Sequence, residues 1–308
     1  MRVLVAVDGS AAAADAVALV DAIAWPLASV VRVVTVIEPV LLPISGPAYR
    51  DATLTPEVDE SITGYASDVL RGATGRLRTA GRTVEGAVLR GRAASAIIDD
   101  AREFRADLVV AGSRGHGTIE SLLLGSVSSE IVDHAQCPVL VARATDLTGV
   151  VFATDGSPSA SAAELTLSEW PIFGLLPIRV VSVADVNRPW TTGIAPTFYG
   201  QVLETYAADL REAKAEHEHI AADAAARLRT RGRVADAEVR TGDVATEIVA
   251  TVERQRADLV VIGSRGRTGL TRLLLGSVAR NVLSGSSASV LIVREGAEVR
   301  PDAAAGRG

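Results

Sequence analysis

The amino-acid sequence predicts an α/β protein with two tandem domains, each an open five-stranded parallel sheet with helices on both faces. Three observations support this. A chain of 308 residues with 48% hydrophobic content suits two domains. The second half repeats the first, and within each half short apolar runs alternate with longer helix-forming segments. We expect domain one at residues 1–145, domain two at 146–295, and a disordered tail at 296–308.

The repeat is closest in one long block. Residues 106–143, ADLVVAGSRGHGTIESLLLGSVSSEIVDHAQCPVLVAR, align without a gap to 257–294, ADLVVIGSRGRTGLTRLLLGSVARNVLSGSSASVLIVR. Equivalent positions differ by 147 up to the second strand and by 151 from Gly91 and Gly242 onward, so the second copy has gained four residues net between them. A loop or helix start tolerates such an insertion.

The elements follow the same order in both copies. Apolar runs bounded by turn residues predict strands, and Ala-rich or polar segments predict helices. Ser10 and Ser157 are suited to cap the first helices. The expected strands are 3–7, 31–37, 83–89, 108–111 and 138–142, then 150–154, 178–184, 234–240, 259–262 and 289–293. The expected helices are 11–24 and 57–80, then 158–170 and 200–230, with a short helix after Gly91 or Gly242 and a last helix after a glycine loop.

A glycine motif follows the fourth strand of each copy, with the pattern Gly-x-x-Gly, nine residues, Gly-Ser. Its members are Gly112, Gly115, Gly125 and Ser126, then Gly263, Gly266, Gly276 and Ser277. We predict Ser126 as the N-cap of a helix that runs from Val127 onward. Free amides at such a helix start attract an anion. Arg114 and Arg265 add positive charge to the two loops.

Glycines in this pattern have two interpretations. They can serve only to make tight turns, which is the commoner role of a single Gly-x-x-Gly. Here the pattern is long, occurs twice and lies between a buried strand and a capped helix, which favours a phosphate-binding loop.

The ends of the first two strands offer further candidates. Asp8 and Asp155 could accept hydrogen bonds from an adenine amino group or a ribose hydroxyl, or help to hold a metal. They could equally bond their own backbone in an Asp-Gly turn, and both roles can coexist. Val36 and Val183 could wall a base pocket or only pack in the sheet.

Composition excludes several classes of function. A net charge of -6 without a basic run argues against nucleic-acid and membrane-surface binding. Lys214 is the only lysine and no Gly-Lys-Ser/Thr occurs, so there is no P-loop. Cys137 is the only cysteine, which fits a reducing cytoplasm. The N-terminus lacks a signal-peptide pattern, and the apolar stretch 11–43 is interrupted by charges.

The remaining reactive residues give weak signals. His116 is replaced by Arg267 in the second copy, and His134 has no counterpart. The run 216–219, Glu-His-Glu-His, is expected to be a solvated helix face rather than a metal site. Cys137 is interpreted as a small buried hydrophobe. No catalytic set repeats between the copies, so we expect no catalytic and no metal-ligating residue.

These residues resemble the universal stress protein family, and the chain resembles one of its tandem members from Arg2 to Arg294. The glycine motif is the signature of the family's ATP-binding branch. The resemblance implies a Rossmann-like fold related to the adenine nucleotide alpha hydrolases. It implies adenine and ribose contacts from Val7, Asp8, Val36, Thr154, Asp155 and Val183. It implies phosphate contacts from Gly112, Arg114, Gly115, Gly125, Ser126, Val127, Gly263, Arg265, Gly266, Gly276, Ser277 and Val278.

The two copies depart from each other within the glycine loops. Copy one has 117–118 Gly-Thr where copy two has 268–269 Thr-Gly. Copy one has Glu120 and Ser121 opposite Thr271 and Arg272. An acidic residue near phosphate weakens anion binding, so the second site is expected to be the better one.

The expected function is that of a cytoplasmic ATP-binding regulator of the stress response, with ATP, accompanied by Mg²⁺, at two sites. Binding is expected to order the glycine loops and to change the oligomeric state or the choice of partner. No residue stands out as a general base, so hydrolysis should be slow or absent. The alternatives are a slow Mg-dependent ATPase and an interaction module with vestigial nucleotide pockets. The last strands of the copies are expected to pair, both within the chain as a pseudo-twofold and in a homodimer.

Overall fold

The computed structural model describes residues 1–39, 56–78, 82–115, 124–185, 196–267 and 274–296. The chain divides into two compact units, Met1–Thr145 and Asp146–Gly308. Each unit holds one copy of the repeat. The expected tail falls almost wholly outside the described residues, as do His116 and the differing loop positions between 117 and 121 and between 268 and 272.

The first unit is built from five strands and four helices within the described residues. Its sheet is parallel, with the strand order β3-β2-β1-β4-β5. In chain order the elements are β1 (Arg2–Ala6), α1 (Ala11–Ala22), β2 (Val30–Ile37), α2 (Pro56–Leu77), β3 (Thr83–Arg90), α3 (Ala93–Glu103), β4 (Leu108–Gly112), α4 (Ser126–His134) and β5 (Val139–Ala142).

The second unit repeats this plan, with the parallel strand order β10-β9-β6-β7-β8. A short 3-10 helix, Pro171–Phe173, is the one described addition. The elements are β6 (Val150–Ala153), α5 (Pro158–Glu169), β7 (Ile178–Ala184), α6 (Pro196–Thr230), β8 (Ala235–Thr241), α7 (Val244–Gln255), β9 (Leu259–Gly263), α8 (Ser277–Gly285) and β10 (Ser289–Val293).

The strand order places helices on both faces of each sheet. In the first unit the chain moves outward from β1 to β3 and then returns to β4 on the other side of β1. With right-handed crossovers, α1 and α2 cover one face, and α3 and α4 cover the other. The contacts agree, because α1 packs on α2 and α3 packs on α4. The predicted fold class is therefore confirmed.

The central strands form the core of each unit because their sequences are apolar throughout. All residues of β4 and β9 are buried, and so are Val3, Leu4 and Val5 of β1. Strands covered on both faces need such uniform hydrophobicity. The register places Ala6 beside Ala111, so β1 and β4 end together at the carboxyl edge of the sheet. That edge is where the strand order reverses, which is the usual ligand position in such sheets.

Two local predictions need correction. Ser126 and Ser277 are the first helical residues rather than N-caps. Gly125 and Gly276 hold the cap positions, with extended backbone and no side-chain cap bond. Val36 is the penultimate residue of β2 rather than its end, and Val183 holds the same position in β7. In contrast, the predicted caps Ser10 and Ser157 are confirmed, since each accepts a bond from the amide three residues on.

Within the described residues, no helix is both long enough and apolar enough to cross a bilayer.

Candidate functional site

Each unit contains a cavity of about 510 Å³ at the carboxyl edge of its sheet. This volume lies within the range of small-molecule sites. The first cavity is lined by all nine predicted residues of its copy: Val7, Asp8, Val36, Gly112, Arg114, Gly115, Gly125, Ser126 and Val127. The second is lined by Thr154, Asp155, Val183, Gly263, Arg265, Gly266, Gly276, Ser277 and Val278. The structure thus brings each predicted set together around one hollow; whether the sets bind nucleotide stays a prediction.

The aspartates at the ends of β1 and β6 form the turn that the sequence left open. Asp8 Oδ1 accepts a hydrogen bond from the Ser10 amide at 2.9 Å. Asp155 Oδ1 accepts one from the Ser157 amide at 3.0 Å. The glycine between each pair has positive φ, 85° at Gly9 and 76° at Gly156, which side chains rarely adopt. The turn occupies one oxygen of each carboxylate and aims the other at the glycine loop.

The second glycine of each loop lies directly against that aspartate. A Cβ added to Gly115 would lie 2.7 Å from Asp8 Oδ2, and one added to Gly266 would lie 2.9 Å from Asp155 Oδ2. Both distances are shorter than a van der Waals contact. A side chain at either position would collide with the aspartate, so only glycine lets the loop backbone and the carboxylate face the same cavity.

The first glycine of each loop has a different role. A Cβ on Gly112 would lie 2.6 Å from the backbone carbon and oxygen of Ala12 in α1. A Cβ on Gly263 would lie 2.5 Å from Ser159 Oγ and 2.7 Å from the Ala160 amide of α5. These glycines let the first helix approach the end of the fourth strand. This packing role differs from both roles considered from the sequence, tight turns and phosphate binding, and phosphate binding stays a prediction.

The starts of α4 and α8 supply backbone donors to the cavities. Because Gly125 and Gly276 provide no side-chain cap, the first-turn amides of both helices lack a capping partner. The amides of Gly125 and Gly276 themselves bond to the carbonyls of Ser113 and Ser264, at 2.9 and 2.8 Å. That bond closes the loop and holds the helix start against the strand end. The positive end of the helix dipole therefore faces each cavity.

Arginines add charge near both helix starts. Arg265 Nε is buried and has no hydrogen-bond partner among the described residues. A buried unpaired donor is costly, so this group is suited to an acceptor supplied by a ligand. In the first unit the pKa of Arg143 is lowered to about 10, by burial and then by repulsion from Arg114. Neighbouring like charges of this kind also favour an anion.

The loop backbone in the second unit is tied down more firmly than in the first. Ser157 Oγ donates to the Arg265 carbonyl at 3.2 Å, and Ser159 Oγ also donates to it. The Arg265 amide donates to Ser159 Oγ at 3.2 Å. In the first unit Ser10 Oγ bonds to the Arg114 carbonyl at 3.4 Å, and Ala12 stands where copy two has Ser159.

A histidine that the sequence analysis assigned to a solvated face contributes to the second cavity. His217 of α6 lines the hollow and is only partly exposed. Its Nδ1 lies 2.7 Å from Ser182 Oγ, in the middle of β7. Burial lowers the pKa of His217, partly offset by the nearby charge of Glu216. The prediction of a wholly solvated run is therefore wrong for this residue.

An ion pair lies beside the same cavity. Arg267 donates from its side chain to Glu216 Oε1 at 2.6 Å and from its amide to Asp155 Oδ2 at 3.1 Å. Both oxygens of the Asp155 carboxylate are thus engaged by backbone amides. Among the described residues no cluster of three or more His, Cys, Asp or Glu is arranged to hold a metal ion.

The spacing of buried residues along α6 indicates from sequence that His217 faces the sheet. Ala221, Ala224 and Leu228 form the buried stripe of α6. His217 lies four and seven residues before the first two, which places it on the same helix face. Arg267 and Asp185, which also line the cavity, carried no comparable signal because neither belongs to the repeated motif.

Comparison with known proteins gives a consistent result. The model of the universal stress protein family matches residues 1–143 and again 148–294. A universal stress protein of Mycobacterium tuberculosis H37Rv is 32% identical over 207 residues, which are 62% of this chain and 62% of that protein. The chain thus spans less than two thirds of the length of these relatives. A second universal stress protein of the same organism is 29% identical over 96% of this chain and 95% of its own length.

Solved structures show the same fold. A universal stress protein from Archaeoglobus fulgidus superposes with a TM-score of 0.63 at 18% identity, covering 96% of this chain and 98% of that one. A functionally unknown protein from Pseudomonas aeruginosa gives 0.58 at 17% identity, covering 96% and 92%.

Proposed function

The chain belongs to the universal stress protein family, and on this premise we propose that it is a stress-response regulator that binds ATP, with Mg²⁺, in both cavities. One observation carries the proposal. At the same edge of each sheet, a glycine loop, an uncapped helix start and a strand-end aspartate converge on a hollow of about 510 Å³. This arrangement occurs twice in one chain.

The residues present fit a nucleoside triphosphate in chemistry as well as in space. The first-turn amides of α4 and α8 and the arginines of the loops would hold phosphate oxygens. The apolar walls at Val7 and Val36, or at Val183 and Ile248, suit a base. Magnesium would come with the phosphates, because the described residues offer no metal cluster of their own.

The same geometry supports regulation over rapid hydrolysis. A general base must reach the attacking water with a free basic atom. The Asp155 carboxylate already accepts a backbone amide at each oxygen, and Asp8 Oδ1 accepts the Ser10 amide. We expect His217, which also lines the second cavity, to contact the nucleoside rather than an attacking water. We expect nucleotide occupancy to change pairing between copies of the chain or with other proteins, which light scattering with and without ATP measures.

Isothermal titration of nucleotide-stripped protein with Mg–ATP tests the proposal. We expect two ATP molecules per chain for the unaltered protein. Gly115→Val would place its side chain against Asp8 and close the first cavity, and Gly266→Val would close the second against Asp155. Each variant should bind one ATP, and the double variant none.

The variants serve as matched controls for one another. Circular dichroism should show the same helix content in all of them, because each new side chain meets only a carboxylate oxygen at the closest approach. No heat with ATP at high micromolar concentration in the unaltered chain would remove the proposal and favour an interaction module with vestigial pockets. If the unaltered protein released phosphate from ATP and Asp155→Ala did not, a slow ATPase would be favoured instead.

A further inference from the structure

One difference between the two cavities lies on the long helices α2 and α6. Val69 of α2 lies against Gly9, and Ile220 of α6 lies against Gly156, so positions on these helices correspond with an offset of 151. His217 therefore corresponds to Ala66. The strand residue that His217 contacts, Ser182, corresponds to Thr35 with the offset of 147. Among the described residues, only the second cavity has an imidazole in its wall.

The hydrogen bonds determine which nitrogen of the ring carries the proton. Ser182 Oγ lies 2.7 Å from the Thr154 carbonyl and 2.7 Å from His217 Nδ1. A carbonyl only accepts, and a hydroxyl has one proton to donate. Ser182 therefore donates to Thr154, and His217 Nδ1 must donate to Ser182.

This assignment leaves Nε2 of the neutral ring as an acceptor. The structure shows no hydrogen bond to Nε2 within its described residues. Burial keeps the ring neutral near pH 7, since the pKa of His217 is lowered from 6.5. An unprotonated imidazole nitrogen needs a hydrogen-bond donor as its partner. The donors that an adenine nucleotide offers are its ribose hydroxyls and its exocyclic amine.

We propose that His217 is a specificity-determining residue of the second cavity that accepts a hydrogen bond at Nε2 from a hydroxyl or amino group of the bound nucleoside. The inference rests on the proposed nucleotide binding and deepens it. The ring lines the same cavity as Thr154, the residue expected to contact adenine or ribose. The first unit has Ala66 in the corresponding position, and a methyl group there offers no hydrogen-bond acceptor, so we expect the two sites to discriminate nucleosides differently.

The charged groups around the ring set its pH response. Glu216 lies beside it on α6, Asp155 faces it from the end of β6, and Arg267 faces it from the glycine loop. Asp185, after β7, lines the same cavity. Below the lowered pKa the ring gains a proton at Nε2 and becomes a donor there. The discrimination should therefore be present at pH 7.5 and absent once the ring is protonated.

A cycle of ligand and side-chain changes tests the proposal in the full chain carrying Gly115→Val, which leaves only the second cavity. The ligands are ATP, 2′-deoxy-ATP, 3′-deoxy-ATP and purine riboside triphosphate, which lacks the exocyclic amine. We expect one analogue to bind about 3- to 10-fold more weakly than ATP, the value of one neutral hydrogen bond. Adding His217→Asn, which keeps a donor for Ser182 but has no atom at Nε2, should reduce that ratio below about twofold.

Two further variants sharpen the result. His217→Gln places its amide near the Nε2 position and should retain part of the discrimination at pH 7.5 and at pH 5. His219→Ala, with a side chain that is 84% exposed on the same helix, should behave as the parent. Equal discrimination with and without His217, or none in the parent, would overturn the inference while leaving ATP binding intact. Loss of ATP binding by the unaltered chain would instead reject the proposed function itself.

Discussion

Asp155 serves both the fold and the candidate pocket. Its Oδ1 shapes the turn after β6, and its Oδ2 holds the Arg267 amide at the end of the described glycine loop. A ligand that bonds to Oδ2 would therefore share that oxygen with a backbone donor. The residue that the sequence offered as either a turn former or a ligand group is positioned to be both.

Asp100 is a carboxylate that the fold buries, which disfavours its charged form. Its carboxylate is 7% exposed on α3 and lies 3.0 Å from Arg32 Nε on β2. Burial raises the pKa of Asp100, and Arg32 only partly offsets it. The second unit has Thr251 at the corresponding position, also fully buried but uncharged. A neutral polar group is therefore compatible with this site.

We predict that Asp100→Asn raises the free energy of unfolding at pH 7 by about 1 kcal/mol, because the burial of the carboxylate outweighs its attraction to Arg32. Arg32 keeps Glu85 and the Phe104 ring as neighbours. A carboxyl whose folded pKa is raised contributes stability below its unfolded pKa, and loses it as the pH rises through the folded value. The advantage of the variant should thus shrink as the pH falls from 7 towards 4. Calorimetry of the variant and the unaltered protein across this pH range measures the difference in the free energy of unfolding. Arg32→Ala, which leaves Asp100 charged and unpaired, should instead lower the free energy of unfolding by about 3 kcal/mol. A variant less stable at pH 7 would contradict the prediction.

At the scale of elements, the first and second glycines of each loop have different roles, although they belong to one sequence motif. Gly112 and Gly263 allow helix-on-strand packing, whereas Gly115 and Gly266 open the space between loop and aspartate. The bonds from Gly125 to Ser113 and from Gly276 to Ser264 then close each loop at its helix. In the first unit Ser128 Oγ also donates to the Gly112 carbonyl at 2.6 Å, which holds the start of α4 against the end of β4.

We predict that Gly112→Ala lowers the free energy of unfolding by about 3 kcal/mol, because its methyl group would lie 2.6 Å from the Ala12 backbone and α1 would have to move. Gly72→Ala is the matched control. Gly72 lies inside α2 with open space around it, so an alanine there should stabilise by about 1 kcal/mol. Urea denaturation compares the two. An unchanged midpoint for Gly112→Ala would show that α1 shifts freely at this contact.

Most helices and strands could be predicted from the sequence, but only some of the residues that line the cavities. Apolar strands and Ala-rich helices carry local patterns, and the repeat showed which positions correspond. The convergence of Asp8 with the Gly112 loop required β1 and β4 to be neighbours, which the sheet confirms. The Ser126 cap was misplaced by one residue because both Gly and Ser suit that position. His217 was missed because the run 216–219 was interpreted from its charge, although its spacing from Ala221 and Ala224 places it on the buried face of α6. The identity of its partner, Ser182, depends on tertiary packing, which local sequence does not determine.

At the scale of the whole molecule, duplication gives each unit its own sheet, core and cavity. The two cavities have the same volume but different walls, with Val7 and Ala93 in the first and Thr154, Val244 and His217 in the second. Duplicated sites that diverge in this way can respond to different nucleotide concentrations. A regulator built like this would have a graded response rather than a single threshold.

We therefore predict that ATP protects the two units independently. A ligand at 100 times its dissociation constant stabilises its own site by about 2.7 kcal/mol. Hydrogen exchange of the unaltered chain with ATP should show slower exchange in α4 and in α8, whose free first-turn amides face the cavities. In Gly115→Val only α8 should be protected, and in Gly266→Val only α4. Loss of protection in both helices from either variant would show that one site depends on the other, and would reject independent sites while leaving nucleotide binding in place.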